Sequence, residues 1–427
     1  MARKILFDGD QLDGLAMQDP IRTILSLETI TPLFGGSAKA GYIDKTNPIR
    51  AASIRGHLRF WWRALFGTRY ATTKDLFTAE EILWGSSEKP GLVSLKVLEA
   101  GRVEKEVKPS DFGSDERTKK NPPEAYFLFP FTEPNTGSEK PGAQKVSFTI
   151  ELTCHAPPDQ LEDLQKQVES TLRAWVTLGG IGVRTRRGLG ALRATSNEER
   201  WLPSNVDTLG SWLGLSEKAS TGAAMAEPEF PVLAGAKAVF GPDLSNTAKS
   251  GSGVEVLRAW RELAKFWARF RKGHFADDDS GYQPMAGAIW PDHRELLRLS
   301  RLGSSGSGEL KQAKPFWGLP IVYQGLGKEA FKGTIEAVAP NGSRMASPVI
   351  LKPVAFANGE IRPMVLVLKA PKPRRIKISG DGQANGEYAL RFPSGNVEPL
   401  KSLGASTPED AVINAARKSG WNEEVVL

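Results

Sequence analysis

Several arginines in one short segment are spaced so that they share a face. Arg55, Arg59 and Arg63 are each four residues apart, so in a helix they form one ridge. Arg50 lies just before them, and the stretch from 50 to 69 contains no Asp or Glu. Guanidinium groups at this spacing repel one another, so the ridge requires an anion. We interpret it as a contact for nucleic-acid phosphates.

The same segment predicts the helix that carries this ridge. Ile54, Leu58, Trp61 and Leu65 recur at helical spacing and would form its buried face. Trp62 falls at the border between the buried face and the ridge, where its ring can bury one edge and offer the other to a base. In the alternative interpretation, the tryptophans belong to the core and the arginines only keep the helix soluble.

A second group of arginines lies in a glycine-rich segment, LGGIGVRTRRGLGAL, over residues 178–192. Glycine allows backbone N–H groups to converge on one anion, and arginine adds charge and paired donors. The Gly-Lys-Ser/Thr ending of a P-loop is absent, and the segment follows a predicted helix, the reverse of the mononucleotide-binding order. A loop that only turns would explain the glycines but not the arginines. We predict RNA contacts at Gly180, Gly182, Arg184, Arg186, Arg187 and Gly188.

The composition favours a nucleic-acid partner. The 427 residues include 56 Lys+Arg and 49 Asp+Glu, a net charge of +7, and the positive charge is clustered. Cys154 is the only cysteine, which excludes an internal disulfide and a thiolate metal site. No apolar run approaches the roughly 18 residues of a spanning helix. We therefore expect a cytoplasmic protein with no signal peptide and no membrane contact.

Hydrophobic patterning predicts an α+β protein with loop insertions, whose first domain is ferredoxin-like (RRM-like). In the first domain, the order strand, helix, strand, strand, helix, strand is that of a split βαβ fold. This interpretation includes a strand over 125–131 and a long helix over 159–178. We expect a mobile arm over 1–20, a ferredoxin-like domain with the Gly-rich loop over 21–200, a linker over 201–229, and a second domain over 230–427, to which the resemblance described below assigns the same fold. The second domain is expected to carry insertions, a helix over 254–272, a hairpin at Asn358-Gly359 and a C-terminal helix capped by Thr407.

Other residues with chemical potential favour structural roles. His57 could act as a base for RNA cleavage, but in a helix it points about 160° away from the arginine ridge. His155, His274 and His293 have no second ligand at metal spacing. Asp277, Asp278 and Asp279 are typical of a solvated loop rather than a magnesium site, residues 303–308 are typical of a flexible loop, and nothing marks Asp44 as catalytic. We expect no catalytic residue, no metal and no cofactor.

The motifs TPLFGG, IRGHLRFWWRALFG and LGGIGVRTRRGLGAL resemble the RAMP superfamily of CRISPR-associated proteins. More narrowly, they resemble the family of first RAMP subunits of type III-B Cmr effector complexes. GLPIVYQG at 318–325 and RMASPVILKP at 344–353 resemble the C-terminal half of that family. The resemblance implies two ferredoxin-like domains, binding of guide (CRISPR) or target RNA near the 3′ part of the guide, and other RAMP and large Cmr subunits as partners. It also implies RNA contacts at Arg55, Arg59, Trp62, Arg63, Arg184, Arg186 and Arg187, and at Arg344.

Three functions follow from these observations. The leading hypothesis is a non-catalytic RNA-binding subunit in antiviral defence. The second is a metal-independent guide-RNA processing endoribonuclease with His57 as its base. The third is an assembly protein whose arginines meet acidic partner subunits.

Overall fold

The computed structural model describes residues 20–112, 122–133, 136–156, 158–215, 228–245, 254–273, 290–302, 308–324, 331–338 and 342–427. Some predictions fall outside these ranges: residues 1–19 of the expected N-terminal arm, His274, Asp277 to Asp279, and residues 303–307 of the expected flexible loop. Within the described ranges, no helix has the length and apolar character needed to cross a membrane.

The first half of the chain forms an α+β unit around one antiparallel sheet. Its elements are β1 (Ile21–Thr29), α1 (Ala51–Phe66), α2 (Thr73–Trp84), β2 (Val93–Glu99), β3 (Glu106–Val107), α3 (Ala125–Leu128), β4 (Gly142–Ala143), β5 (Ser147–Cys154), α4 (Pro158–Leu178), β6 (Leu192–Ala194), α5 (Glu198–Trp201) and α6 (Leu209–Trp212).

The second half forms another unit, into which a further sheet is inserted. Its elements are β7 (Val232–Phe240), α7 (Val254–Lys272), α8 (Asp292–Leu302), β8 (Glu309–Lys311), β9 (Ile321–Gln324), β10 (Lys332–Ala337), β11 (Val349–Ala355), β12 (Ile361–Lys369), β13 (Arg375–Gly380), β14 (Gly386–Arg391), α9 (Leu400–Leu403), α10 (Pro408–Lys418) and β15 (Glu423–Val426).

Two of the sheets have the same strand order. The first is β2-β5-β1-β6 and the second is β11-β12-β7-β15, and all neighbours in both are antiparallel. In each, the first strand in the chain lies between the third and the fourth. Along the chain, α1 and α4 connect strands of the first sheet, and α7 and α10 lie between strands of the second.

The third sheet, β8-β14-β13-β10-β9, has its own small core. All neighbours are antiparallel except β8 and β14, which are parallel. Ile335, Ile376, Ile378 and Tyr388 are buried there together with Leu296 of α8. This sheet is an insertion between the strands of the second unit.

The two units share one continuous core because α1 and α4 lie between their sheets. These helices contact each other, and they also contact β7 and β11 of the second sheet. Leu27 and Ile150 of the first sheet belong to the same buried cluster as Phe240 and Leu366 of the second. Helices α7 and α10 cover the other face of the second sheet. The layers are therefore sheet, helices, sheet, helices, and every residue of β11 is buried.

The predicted helices and strands are confirmed with one error in the first unit. Segment 125–131 is not a strand but the short helix α3 followed by a 3-10 turn over Phe129–Phe131. The segment is apolar enough for either structure, and Pro130 favours the turn because it lacks a backbone donor. Thr407 caps α10 as expected, since its side chain accepts a hydrogen bond from the Asp410 backbone N–H.

Candidate nucleic-acid interface

The arginine ridge of α1 is not unpaired, which corrects the expectation from the sequence. Glu80 of α2 is almost completely buried, and its Oε1 accepts from Arg59 Nε at 2.5 Å and from Arg63 Nη1 at 2.6 Å. Arg59 also donates to the Gly85 carbonyl at 3.2 Å. The anion that the ridge requires is therefore supplied within the chain for these two arginines.

Arg50 and Arg55 keep the character that the sequence predicts. Both are exposed, and no described residue forms an ion pair with either. Arg50 is the last residue before α1 and leaves the helix N-terminus without a side-chain cap. Arg55 faces a groove that it lines together with Trp84 and Lys89. Arg55 of the ridge and the neighbouring Arg50 are therefore available to bind an external anion.

Trp62 does not offer an edge to solvent, and this prediction was wrong. The residue is 1% exposed, and its indole N–H donates to Gln167 Oε1 of α4 at 3.0 Å. Its ring packs against Phe66 and Tyr70. Because α1 is covered on two sides, its buried face is wider than the stripe that one sheet would require.

The Gly-rich loop lies against the second unit. Arg186 donates to the Ser347 carbonyl and lies 5.2 Å from the centre of the Phe60 ring of α1. Arg187 Nη1 donates to the Val349 carbonyl at 2.9 Å, and its guanidinium lies 4.5 Å from the Trp267 ring centre. Burial lowers the pKa of Arg186 to about 10. Both arginines thus bind carbonyl groups that lead into β11, so they join the two units.

The glycines of this loop are required by close packing. At Gly188 (φ +73°), a Cβ would lie 2.9 Å from Trp260 Cδ1 and 3.0 Å from the Leu351 carbonyl oxygen. At Gly182 (φ +88°), a Cβ would lie 2.4 Å from Leu33 Cδ1. Gly180 approaches the Gly190 backbone in the same way. The expected approach to a phosphate is therefore not the reason for these glycines, because protein atoms occupy that space.

A third segment, which the sequence analysis did not single out, completes a surface beside the loop. Phe129 is 59% exposed, and the Arg184 guanidinium lies 5.3 Å from its ring centre. Phe131 stacks on Phe34 at 4.4 Å, and the Phe34 carbonyl accepts from the Val183 N–H at 3.0 Å. These contacts hold the Phe129 turn and the Gly-rich loop together.

Two further loops, one between β1 and α1 and one between α3 and β4, add cations to the same surface. Lys39 and Lys140 lie 4.1 and 6.0 Å from the Tyr42 ring centre, and Lys140 donates its backbone N–H to the Phe131 carbonyl at 2.7 Å. Val183 of the Gly-rich loop packs over Gly35, at the start of the loop between β1 and α1. We call Lys39, Arg50, Phe129, Lys140 and Arg184 the loop surface.

The open face of the first sheet lacks the residues that stack bases in RRM proteins. Its four strands are all described, and the side chains facing away from α1 and α4 are aliphatic, hydroxyl-bearing or charged, with no aromatic ring. Lys96 and Glu151 form an ion pair there at 3.8 Å. Aromatic stacking on this face is therefore not available.

The remaining predicted residues take structural positions or lie apart. Asp44 Oδ1 accepts from the Thr46 and Asn47 backbone N–H groups and so closes its own turn. Burial lowers the pKa of His57 from 6.5 to about 4. Arg344 is exposed, three residues before the Ser347 that binds Arg186. Among the described residues, no group of three His, Cys, Asp or Glu is placed to hold a metal ion.

Comparison with known proteins agrees with the resemblance seen in the motifs. Residues 26–193 match the RAMP superfamily model. The CRISPR system Cmr subunit Cmr1-2 of Pyrococcus furiosus is 26% identical over 197 residues, which cover 42% of this chain and 98% of that protein.

Solved structures of Cmr proteins are also similar. The apo crystal structure of Cmr1 from Pyrococcus furiosus has a TM-score of 0.47 and 16% identity, covering 83% of this chain and 89% of that chain. A chain of type III-B Cmr-beta bound to cognate target RNA has a TM-score of 0.46 and 13% identity, covering 83% of this chain and 96% of that chain. The chain carries a RAMP-superfamily domain over residues 26–193 and is related to the Cmr subunits of CRISPR systems.

Proposed function

We propose that this chain is a non-catalytic subunit of a type III-B CRISPR effector complex that holds guide or target RNA on its loop surface. One observation carries the proposal. The half-exposed Arg184 lies 5.3 Å from the centre of the exposed Phe129 ring, and the exposed or half-exposed Lys39, Arg50 and Lys140 come from the two loops whose Phe34 ring and Lys140 backbone contact Phe131 of the same turn. Cations beside an aromatic ring form the usual platform for single-stranded nucleic acid, in which phosphates are neutralised and a base stacks.

The loop surface combines positive charge with an exposed aromatic ring, and this combination favours RNA over an acidic protein as its partner. Phosphate contacts made by flexible lysines and arginines provide affinity with little sequence preference, which a subunit serving variable guides requires. A purely ionic contact with an acidic protein would not require the exposed Phe129 ring. The ring adds the stacking energy that a base supplies, about 1–3 kcal/mol.

A non-catalytic role is consistent with the structural environments of Asp44 and His57, the two residues considered as catalytic candidates. Asp44 is engaged by its own turn. His57 has its pKa lowered to about 4 by burial, which makes it a weak base at neutral pH.

We further propose that both units are ferredoxin-like. In support, the two sheets share the order in which the first strand lies between the third and fourth, and in chain order each has two helices separating its strands. The second unit then differs from the first mainly by the inserted third sheet. A boundary near residues 201–229 fits the chain passing from β6 to β7.

Binding of single-stranded RNA by the purified chain, in EDTA and at about 0.1 M salt, tests the proposed function. We expect Lys39→Glu/Arg50→Glu to lose about ten-fold or more in affinity and Phe129→Ala to lose about five-fold or more. Arg22→Glu/Lys74→Glu, which reverses two exposed charges elsewhere on the first unit, is the matched control and should lose much less. RNA recovered intact supports the non-catalytic role. Cleavage that His57→Ala abolishes would establish the endoribonuclease instead. Equal losses of RNA affinity in the two double variants would contradict RNA binding by the loop surface.

A further inference from the structure

A second group of cations lies behind the loop surface, where the two units meet. The guanidinium groups of Arg187 and Arg271 lie 4.5 and 6.0 Å from the Trp267 ring centre. Arg271 Nη1 donates to the Lys314 carbonyl at 3.2 Å, and the Lys314 ammonium lies 6.0 Å from the Tyr323 ring centre. We call Arg184, Arg187, Arg271 and Lys314 the buried cation cluster. It draws on the Gly-rich loop, the C-terminal end of α7 and the turn after β8.

The cluster has an excess of positive charge. Burial, together with the charges of Arg184 and Arg271, lowers the pKa of Arg187 to about 9. In the described part of the chain, no carboxylate offsets these charges at Arg187. Asp292 interacts with Lys314, whose pKa burial nevertheless lowers to about 8. Oδ1 of Asp292 is already engaged by the backbone N–H groups of Ala313 and Lys314.

Hydrogen-bonding groups next to the cluster are also unsatisfied. Arg184 Nε, Asp292 Oδ2, both amide atoms of Gln312 and the Tyr323 hydroxyl are buried without a hydrogen-bond partner. Gln312 and Asp292 are both completely buried. Buried polar atoms are normally paired. Three of the five unpaired atoms, Arg184 Nε, Gln312 Nε2 and the Tyr323 hydroxyl, are donors beside like charges, and these three indicate a place for a negatively charged ligand.

The shape of the donor set favours a phosphoryl group. Arg187 and Arg271 use Nη1 for protein carbonyls, so within the described residues their Nε and Nη2 donors are free for a ligand. Cations reach the site from three separate segments, which suits a tetrahedral group with several charged oxygens better than a planar carboxylate. Arg184, Arg187, Arg271 and Tyr323 are each half-buried, so the cluster lies close to the surface of the described structure.

We propose that the buried cation cluster is a phosphate-binding pocket that takes a phosphoryl group either from the bound RNA or from a free nucleotide. The inference rests on the proposed RNA-binding function for the first of these sources. It goes beyond that function because the pocket shares only Arg184 with the loop surface, and its other cations lie in the junction of the units. Occupation of the pocket would also join the units, because Arg187 comes from the first and Arg271 and Lys314 from the second.

The test uses the full chain and two charge-removing variants. Arg271→Gln and Lys314→Gln each remove one cation without touching the Arg187 contact to the Val349 carbonyl. Arg258→Gln on the exposed side of α7 and Lys311→Gln on the exposed β8 are the matched controls. RNA affinity is measured for each, and thermal stability is measured with AMP, with adenosine, and with neither, at constant ionic strength. We expect Arg271→Gln and Lys314→Gln to lose about ten-fold or more in RNA or AMP affinity, and the controls to lose less than two-fold.

The outcomes separate this inference from the proposed function. AMP that stabilises the chain and competes with RNA assigns the pocket to a terminal or free phosphate, whereas RNA affinity that depends on Arg271 without an AMP effect assigns it to an internal phosphate. RNA binding by the wild type that is unchanged in both variants, with no stabilisation by AMP, overturns the pocket and leaves the proposed function standing. If the wild type does not bind RNA, the proposed function fails. In that case, stabilisation by AMP but not adenosine, lost in Arg271→Gln, still supports the pocket, and its absence overturns the pocket.

Discussion

Glu80 shows at the scale of single residues why a row of arginines is not sufficient to identify a nucleic-acid contact. Its carboxylate forms ion pairs with two of the three ridge arginines. Glu80 belongs to α2, which begins about ten residues after the ridge ends. In the sequence, the only sign of this partner is an acidic residue among the apolar positions of the following helix. Among the described residues, Arg55 is the ridge arginine that Glu80 leaves without an ion pair, and Arg50 just before the ridge also has none.

Glu80→Gln is expected to destabilise the protein. Removing one partner from a buried ion pair leaves uncompensated charge, which costs 3–5 kcal/mol when the pair is fully buried. Because Arg59 and Arg63 are 26% and 33% exposed, we expect about 2 kcal/mol. Urea denaturation measures the difference, with Glu162→Gln in an exposed pair with Lys166 as the control. An equal, small effect of both variants would show that Glu80 is not required by the ridge.

His57 should make the protein sensitive to acid. Its pKa is lowered from 6.5 to about 4, so the native state binds fewer protons than the unfolded state between these values. Stability is therefore lost as pH falls from 6.5 to 4, by at most about 3 kcal/mol.

The free energy of unfolding between pH 7 and pH 4 measures this loss. We expect His57→Gln to show a shallower decline than the wild type, and His155→Gln, which changes an exposed histidine, to match the wild type. Identical acid profiles for wild type and His57→Gln would contradict the burial of the imidazole.

At the scale of elements, glycines distinguish a packed junction from an open surface. Gly188 has φ +73° and no room for a Cβ, whereas Gly56 lies in α1 with nothing within 4 Å of its Cβ position. We expect Gly188→Ala to destabilise the protein by about 2–4 kcal/mol through strain and overpacking. Gly56→Ala should stabilise it by roughly 0.5–1 kcal/mol, because helical alanine loses less entropy. Thermal unfolding measures both, and similar effects would contradict the packing of the loop against the second unit.

The sequence predicts the long elements well because each carries its own periodicity. Helix α7 has the bounds 254–272 that its apolar spacing predicts, and the hairpin at Asn358-Gly359 joins β11 and β12. The segment 125–131 was assigned wrongly because a short apolar run does not distinguish a strand from a buried helix turn. The third sheet was not predicted, since the pairing of β8 with β14 joins segments that are far apart in the chain.

The candidate site was predictable to a smaller extent. The sequence identifies the cations of the Gly-rich loop but not the carbonyls of Ser347 and Val349 that Arg186 and Arg187 bind. Phe129 is exposed only because its segment turns, and Trp62 is buried only because a second sheet covers α1. These features depend on contacts between distant segments, which periodicity within one segment does not show.

At the scale of the whole molecule, the shared core predicts that the units unfold together. Residues of both sheets belong to one buried cluster around α1 and α4. We expect a single calorimetric transition whose calorimetric and van't Hoff enthalpies agree. Two separate transitions would show that the junction contributes little.

Lys352 tests the same junction. It is 1% exposed, its ammonium donates to the Val176 carbonyl at the end of α4, and burial holds its pKa well below the usual value. We expect Lys352→Met to stabilise the protein by about 1–3 kcal/mol at neutral pH by removing a desolvated charge. Because the native pKa is lowered, wild-type stability should rise with pH up to about 10.5, and the variant should lack this component. A destabilised variant would show that the ammonium is required in the core.

The salt dependence of single-stranded RNA binding tests the central claim most directly. The observed affinity of the wild type should fall linearly with the logarithm of salt concentration, with a slope of about 0.7 for each neutralised phosphate. Lys39→Glu/Arg50→Glu should lower that slope by about 1.4, because two phosphate contacts are lost. A wild-type affinity that does not change with salt, or a double variant that keeps the wild-type slope, would contradict an RNA-binding loop surface.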